Sequence, residues 1–227
     1  MQIVFHIGAH CTDADRLVRS LLRNREVLAR EAVSVPGPGR YRRVLSGALQ
    51  KLRGAPASAE TQDVLLEAVI DDDQAERVIL SNESFICMPA KVLEEGQLYA
   101  KAGKSAWLRN AFPGAQIEFA LAVRSIASFI PALYEALDPD MTNAAAFLDG
   151  VDPLRLRWSD YVARIQEANP GCPVTIWCDE DSPLIWPEIM REIVAVDASV
   201  PLVGAHDLTR KIKEPEGHKR LRDYLRT

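Results

Sequence analysis

Chemically capable side chains follow the first apolar run of the chain. The run Gln2–Ile7 is rich in β-branched and aromatic residues, and the turn behind it holds Gly8, His10, Cys11 and Thr12. A buried strand, a turn of small residues and a helix start form the arrangement in which α/β proteins offer backbone N–H groups and a positive dipole end to a phosphate. The sequence therefore predicts an anion-binding loop directly after the first strand.

The residues after this turn predict how the following helix begins. Thr12 and Asp15 have the spacing of a capping box, with Asp in place of the usual Glu or Gln. Leucines and valines then recur on one face of a long, Arg-rich helix that reaches about Arg30. Cys11 precedes this helix, where a thiolate would be stabilised, and His10 is the candidate base nearest to it in sequence. A nucleophilic Cys11 is one hypothesis, and a buried, reduced thiol is the alternative.

Three further apolar runs predict buried strands, and each of them ends in polar residues. Glu83 follows the second strand, Arg124 the third and the acidic turn Asp179–Asp181 the fourth. Ligands of parallel sheets bind outside the carboxyl ends of the strands, so these side chains are candidates for a site at that edge. The three runs are Arg77–Ser81, Gln116–Val123 and Val174–Cys178.

Helical patterns separate these strands, which predicts an α/β fold with a mainly parallel sheet. Residues 1–227 are expected to form a single domain. Ser58 is expected to cap a helix that starts at Ala59. The other helices are expected at Tyr41–Leu52, Leu93–Ala111, Ile126–Leu137, Thr142–Leu148, Trp158–Ala168, Leu184–Val194 and His218–Leu225.

Composition narrows the class of protein further. A net charge of -5 argues against a nucleic-acid polymer as partner, because phosphate backbones favour a basic surface. No apolar run approaches the ~20 residues of a membrane span, and no basic leader precedes the first strand, so a cytoplasmic protein without membrane contact is expected. The four cysteines lack C-x-x-C spacing, and the acidic run Asp71–Asp73 is expected to be solvated, so no metal is expected.

Two common nucleotide-binding signatures are missing from the first loop. A nucleotide kinase or ATPase would carry G-x-x-x-x-G-K-[ST] there, and a dinucleotide-binding protein would carry G-x-G-x-x-G. Gly8 stands alone in this turn. Neither class therefore fits the sequence.

Two segments resemble a known family. Phe5–Thr12 (F-H-I-G-A-H-C-T) resembles the opening of sulfotransferases that use phosphoadenosine phosphosulfate (PAPS), many bacterial members of which have H-I-G-x-H-K-T-G-T-T-S after a strand. Ala122–Arg124, followed by Ala132–Tyr134, is similar to the family's second motif. The resemblance implies a three-layer, P-loop-NTPase-like α/β fold with a mainly parallel sheet.

The resemblance also implies roles for individual residues. The loop after the first strand would grip the 5'-phosphosulfate, and the second motif would hold the 3'-phosphate. Glu83 or His10 would act as the base on the acceptor. The implied cofactor-binding residues are Gly8, Cys11, Thr12, Arg16, Arg124, Ser128 and Tyr134.

The departures from the family pattern carry as much information as the matches. Cys11 stands in place of the lysine that neutralises the transferring sulfonate, Asp13 in place of a glycine and Asp15 in place of a hydroxyl. Ala132 replaces the serine of the second motif, with Ser128 one helical turn earlier. Carboxylates at a helix start repel a dianion by ~4 kcal/mol per close charge pair near a protein surface.

The sequence thus leaves three functions open. We expect a sulfotransferase-like protein with weak or absent sulfuryl transfer and a retained binding or regulatory role, with a nucleotide (PAPS or its product) or a protein as partner. The alternative is an active PAPS-dependent sulfotransferase with an altered phosphate loop, acting on a hydroxyl or amine of a carbohydrate or small molecule. In the third reading, the acidic loop at Asp13 and Asp15 binds a cation or amine.

Overall fold

A five-stranded parallel sheet forms the centre of the protein. The computed structural model describes residues 1–13, 15–70, 74–138 and 143–209. The prediction of an α/β fold with a mainly parallel sheet is confirmed. The strands are β1 (Gln2–His6), β2 (Val33–Ser34), β3 (Arg77–Ser81), β4 (Gln116–Val123) and β5 (Val174–Cys178). Their order across the sheet is β2-β3-β1-β4-β5.

Helices cover both faces of this sheet, because side chains alternate along the buried strands. The helices are α1 (Arg16–Leu22), α2 (Arg25–Arg30), α3 (Pro38–Leu52), α4 (Ala59–Val69), α5 (Ser105–Ala111), α6 (Ile126–Leu137), α7 (Ala144–Phe147), α8 (Trp158–Ala168) and α9 (Ser182–Val194). Ile3 and Phe5 point into one core with α3, α4, α5, α6 and α8, while Val4 points into a second core with α1, α2 and α9.

The long helix expected up to Arg30 is instead two helices that meet at Asn24. The Asn24 amide donates to the carbonyl of Ser20 at 2.8 Å and to that of Val203 at 2.9 Å. Its side-chain oxygen accepts from the N–H of Val203 at 2.6 Å. A side chain that bonds its own helix end and a distant segment in this way interrupts the helix. The distant partner is not visible in the local sequence.

The helix expected over Leu93–Ala111 is also shorter than predicted. Glu95, Gly96 and Tyr99 all have positive φ, which an α-helix excludes, and the regular helix begins only at Ser105. At Ala59 the expectation is confirmed, since the Ser58 hydroxyl accepts from the N–H of Thr61 at 3.2 Å. Asp71–Asp73, Thr142 and His218–Leu225 lie outside the described residues.

The strand register brings the carboxyl ends together at one edge of the sheet. His6 at the end of β1 pairs with Ser81 on β3 and with Ala120 on β4, and Val123 pairs with Cys178 on β5. The loops that follow four neighbouring strands therefore share one edge, with β1 at the centre. No helix within the described residues combines the length and apolar character needed to cross a membrane.

Candidate functional site

The loop after β1 continues the hydrogen-bond ladder of the sheet. The N–H of Ala9 donates to the Ala122 carbonyl, and the N–H of Ala122 donates to the Gly8 carbonyl, both at 2.8 Å. Gly8 has a φ of 106°, and a Cβ there would lie 3.4 Å from the Cα of Glu83. Glycine is required at this position because the backbone is left-handed and the β3 loop packs against it.

Asp13 caps the start of α1 from a buried position. Its Oδ1 accepts from the N–H of Leu17 at 2.9 Å, while its Oδ2 is buried without a hydrogen-bond partner among the described residues. Burial raises the pKa of Asp13 to about 6. The Thr12 hydroxyl instead donates to the Ala9 carbonyl at 2.7 Å. The predicted capping box of Thr12 and Asp15 is therefore wrong, because the side chain that accepts an N–H of the first helical turn is Asp13.

Asp15 is held by an arginine from α3. Arg42 donates from Nη1 to Asp15 Oδ2 at 3.0 Å and makes a second bond from Nη2 to Oδ1. The same guanidinium donates from Nε to the Ser81 carbonyl at 3.0 Å, so it joins the β1 loop to the end of β3. The hydrogen bond from Arg42 holds the pKa of Asp15 below its ordinary value. From the sequence, Arg42 is one of several basic residues expected on the outer face of a helix. Its bonds to Asp15 and to the Ser81 carbonyl were not predicted.

Arg124 joins the end of β4 to the β1 loop. Its Nη1 donates to the carbonyl of Cys11 at 2.9 Å, and its Nε donates to the Ser128 hydroxyl at 3.0 Å. The carbonyl of Arg124 accepts from the indole N–H of Trp158 at 2.6 Å. The structure thus brings together three of the predicted cofactor-binding residues, Cys11, Arg124 and Ser128.

The start of α6 is occupied by a carboxylate from the turn after β5. Glu180 Oε1 accepts from the N–H of Ser125 at 2.8 Å and lies 3.3 Å from the Ser128 hydroxyl. Burial alone would raise the pKa of Glu180, but hydrogen bonds from Ser125 and Ser128 outweigh burial and lower it. The predicted acidic turn thereby supplies an anion to the helix that follows Arg124.

His10 is locked against a buried tyrosine. The Tyr99 hydroxyl accepts from the N–H of His10 at 2.9 Å and lies 2.9 Å from its Nδ1. Because the Tyr99 hydroxyl accepts from the His10 N–H, its own proton is free to be donated to Nδ1, and the single N–H proton of the neutral ring then sits on Nε2, 3.5 Å from the Ser84 hydroxyl. Burial lowers the pKa of His10 to about 4, so the ring is neutral at pH 7. His10 in this state offers a hydrogen-bond donor toward Ser84.

Glu83 has the environment of a carboxyl group with a raised proton affinity. It is half-buried against Gly8 and makes no hydrogen bond or ion pair with any described residue. Burial raises its pKa, and the neighbouring carboxylate of Asp15 adds to the effect. Burial and Glu83 also raise the pKa of the Cys11 thiol. The expectation of a stabilised thiolate at Cys11 is wrong, since burial and nearby carboxylates disfavour the anion.

Arg16 and Tyr134 contact segments other than the β1 loop. Arg16 Nη1 is 3.9 Å from Asp179 Oδ1, so it faces the turn after β5. The Tyr134 hydroxyl accepts from the N–H of Asn143 at 2.6 Å, beyond the far end of α6. Tyr134 is eight residues into that helix, roughly 12 Å from its start, and its hydroxyl is not brought to Arg124.

Carboxylates outnumber guanidinium groups at this edge. Burial raises the pKa of Asp179, an effect that Arg16 and Arg124 oppose and that Glu180 and Asp13 strengthen. Among the described residues, no group of three or more His, Cys, Asp or Glu side chains is placed to hold a metal ion. Among the described residues, the carboxylates are Asp13, Asp15, Glu83, Asp179 and Glu180, and the arginines bonded to them or to the loop are Arg16, Arg19, Arg42 and Arg124.

Comparisons with known proteins leave the family of this chain open. No family model and no curated protein matches the sequence. Among solved structures, the chain is similar to a sulfotransferase from Alicyclobacillus acidocaldarius, with 12% sequence identity and a TM-score of 0.47. The match covers 99% of this chain and 91% of the other.

Proposed function

We propose that this chain is a sulfotransferase-like protein that transfers sulfuryl groups weakly or not at all and acts by binding. The observation that carries the proposal is the position of two carboxylates. Asp13 bonds the start of the helix after β1, and Glu180 bonds the start of the helix after β4. In the family that the sequence resembles, these two places receive the phosphosulfate and the 3'-phosphate. Here the chain's own anions take the hydrogen bonds that a bound anion would need.

Several backbone N–H groups in and just after the β1 loop already donate hydrogen bonds within the protein. The N–H of Ala9 bonds β4, that of His10 bonds Tyr99, and those of Arg16 and Leu17 bond Asp13. A phosphate that entered the loop would have to displace these contacts or lie outside them. Asp15 adds a further negative charge, and Arg42 forms an ion pair with it. The loop therefore offers a dianion few free donors and a repulsive field.

The active-enzyme alternative also has an observation in its favour. Glu83 is a half-buried carboxyl with a raised pKa, and it lies beside Gly8 in the β1 loop. A carboxylate with raised proton affinity suits a general base on a hydroxyl or amine acceptor. Arg124 would then hold the 3'-phosphate after Glu180 moved away. Under this alternative, Glu83→Gln would abolish sulfuryl transfer while leaving nucleotide affinity unchanged.

Calorimetric titration with 3',5'-adenosine bisphosphate, the product left after sulfuryl transfer, tests the proposal. The wild type would be run beside Arg124→Ala and beside Arg155→Ala, which removes the same charge from an exposed turn. We expect a Kd of the wild type weaker than about 1 mM. Neither variant should change that result.

Tight binding with a defined residue dependence would overturn the proposal. Micromolar affinity, about -8 kcal/mol, that is lost in Arg124→Ala and kept in Arg155→Ala would mean that the nucleotide cleft is functional. Sulfuryl transfer from PAPS to candidate acceptors, with Glu83→Gln as the control, would then be the next assay. Circular dichroism and thermal melts of every variant would exclude misfolding as the cause of lost binding.

A further inference from the structure

A groove of about 750 Å³ opens beside the carboxyl end of β3. Helix α3 forms one wall, and the long connection between β3 and α5 forms the other. Asn82 and Ser84 line its inner end, next to His10. Its size lies within the range of sites that bind small organic molecules.

The groove is basic in a protein that is acidic as a whole. The chain carries a net charge of -5, yet no Asp or Glu is among the described residues that line this groove. A concave surface with one sign of charge concentrates ligands of the opposite sign. The basic lining residues are Arg42, Arg43, Lys91, Lys101 and Lys104.

Internal ion pairs account for only part of this charge. Arg42 is neutralised by Asp15, and Lys91 and Lys101 share the single carboxylate of Glu94. Within the described residues, Arg43 and Lys104 have no carboxylate partner, and the Lys104 ammonium lies 5.1 Å from the ring centre of Trp107. At least two positive charges, and a third from the lysine pair, thus face the groove uncompensated.

The floor of the groove is apolar. Phe85, Ile86 and Trp107 contribute to it, and Met88, with 62% of its surface exposed, lies at its edge. Apolar surface beside uncompensated cations does not suit a simple inorganic anion, which gains nothing from apolar contact. The combination suits a molecule with an anionic head and an apolar body.

A glycine inside α3 keeps the groove open. Gly47 lies in the interior of this helix, and apart from its chain neighbours and the adjacent backbone of the helix itself, no described atom lies within 4 Å of the position that its Cβ would take. Glycine in a helix interior costs about 1 kcal/mol relative to alanine, and neither backbone conformation nor crowding requires it here. The space above Gly47 belongs to the groove.

We propose that this groove binds one organic anion that carries a sulfate, phosphate or carboxylate head and an apolar body. The uncompensated cations of Arg43 and Lys104 bind the head, and the surface of Phe85, Met88 and Trp107 packs against the body. This inference rests on the proposed binding function, for which it names the class of ligand.

Binding of anilinonaphthalene sulfonate, an organic anion that fluoresces in apolar surroundings, tests the groove directly. Its uncharged relative N-phenylnaphthylamine and inorganic sulfate separate the contributions of the body and the head. We expect one saturable site for the anionic dye, weakened by salt, and affinities at least about tenfold lower for the neutral dye and for sulfate. Equal affinity for the two dyes would overturn the proposal, since the cations would then contribute nothing.

Two variants that each add one carboxylate locate the site. Gly47→Glu places the carboxylate in the groove, one helical turn from Arg43. Ala163→Glu adds the same charge at an exposed position of α8, outside the groove lining. We expect at least about tenfold weaker dye binding in Gly47→Glu and an unchanged affinity in Ala163→Glu. A twofold or smaller difference between these variants would place the dye elsewhere and refute the assignment. Gly47→Ala serves as the control for folding and should keep the dye site.

Nucleotide titrations separate this inference from the proposed function. Arg124 is not among the groove-lining residues, so Arg124→Ala should leave the dye affinity unchanged. If adenosine bisphosphate binds at a separate site while the dye still requires Gly47, the proposed function fails and the groove assignment stands. If the nucleotide displaces the dye in the wild type at concentrations matching its own affinity, the groove is a nucleotide site and the inference fails.

Discussion

The carboxylate of Glu180 accepts a hydrogen bond from the backbone N–H of Ser125 at 2.8 Å. This contact connects the turn after β5 to the first residues of the helix after β4, beside Arg124. A negative charge at a helix start is stabilising, and it also occupies the place where an external anion would bind. We therefore expect the same pair to contribute to stability and to oppose the binding of an external anion.

Removing the charge of Glu180 should make this helix start more receptive to anions. Glu180→Gln can keep the hydrogen bond from Ser125 through its amide oxygen, so the local geometry is preserved. We expect affinity for 3',5'-adenosine bisphosphate to rise about threefold to tenfold, measured by calorimetry at high ligand concentration. Glu188→Gln, which removes the same charge from an exposed position of α9, should have no effect. Equal gains in both variants would mean that the position of Glu180 is irrelevant.

Asp13 should make the protein less stable as pH rises from about 4 to about 6. Its pKa is raised from 3.8 to about 6, so the folded state keeps a proton that the unfolded state has lost. Stability from this group is complete below the ordinary pKa and is lost as the pH passes the raised value. Asp13→Asn cannot ionise, and its stability relative to wild type should improve by about 2 kcal/mol between pH 4 and pH 7.

Urea denaturation across this pH range measures the effect of Asp13. The pKa values of His6 and His10, both lowered to about 4 by burial, make stability fall in acid in every variant, so only the difference from wild type is diagnostic. Asp149→Asn, in an exposed turn, supplies the control. A pH-independent difference between Asp13→Asn and wild type would contradict the assignment.

Arg42 should stabilise the fold by joining two loops. Arg42→Gln removes its hydrogen bonds to the Ser81 carbonyl and leaves Asp15 without its partner. We expect a loss of about 1–2 kcal/mol in unfolding free energy, since the pair is partly exposed to solvent. Arg43→Gln, its exposed neighbour, should cost less than about 0.5 kcal/mol. Combining Arg42→Gln with Asp15→Asn should recover part of the loss, and strict additivity would show that the ion pair contributes nothing.

Two glycine substitutions should have opposite effects on stability. Gly54 has a φ of 88°, and a Cβ there would lie 2.5 Å from Nε1 of the Trp107 indole. Gly54→Ala should therefore lose about 1–3 kcal/mol, whereas Gly47→Ala in the open part of α3 should gain about 0.5–1 kcal/mol. Chemical denaturation of the two variants and of wild type measures both changes in the free energy of unfolding. A stable Gly54→Ala would require the indole to move away from the Gly54 backbone.

The local sequence determined the secondary structure and one helix cap, because these depend on residues that are close together in the chain. Periodic apolar residues identified four of the five strands and most of the helices, because burial on one or both faces imposes its own spacing. The Ser58 cap was predictable because it is also a local interaction, in which the donor and the acceptor lie three residues apart. The convergence of Glu83, Arg124 and the turn after β5 on one edge followed from the rule for parallel strands.

Tertiary structure alone decided which side chains meet at that edge. Arg42 reaches Asp15 across 27 residues, Tyr99 reaches His10 across 89, and Asn24 reaches Val203 across 179. No local pattern encodes such pairs, because they depend on how helices pack over the sheet. The same packing set Asp13 rather than Thr12 as the cap of α1, and it left a basic groove on an acidic protein. The charge of a site depends on which side chains the fold brings together, so the net charge of the sequence did not reveal this basic groove.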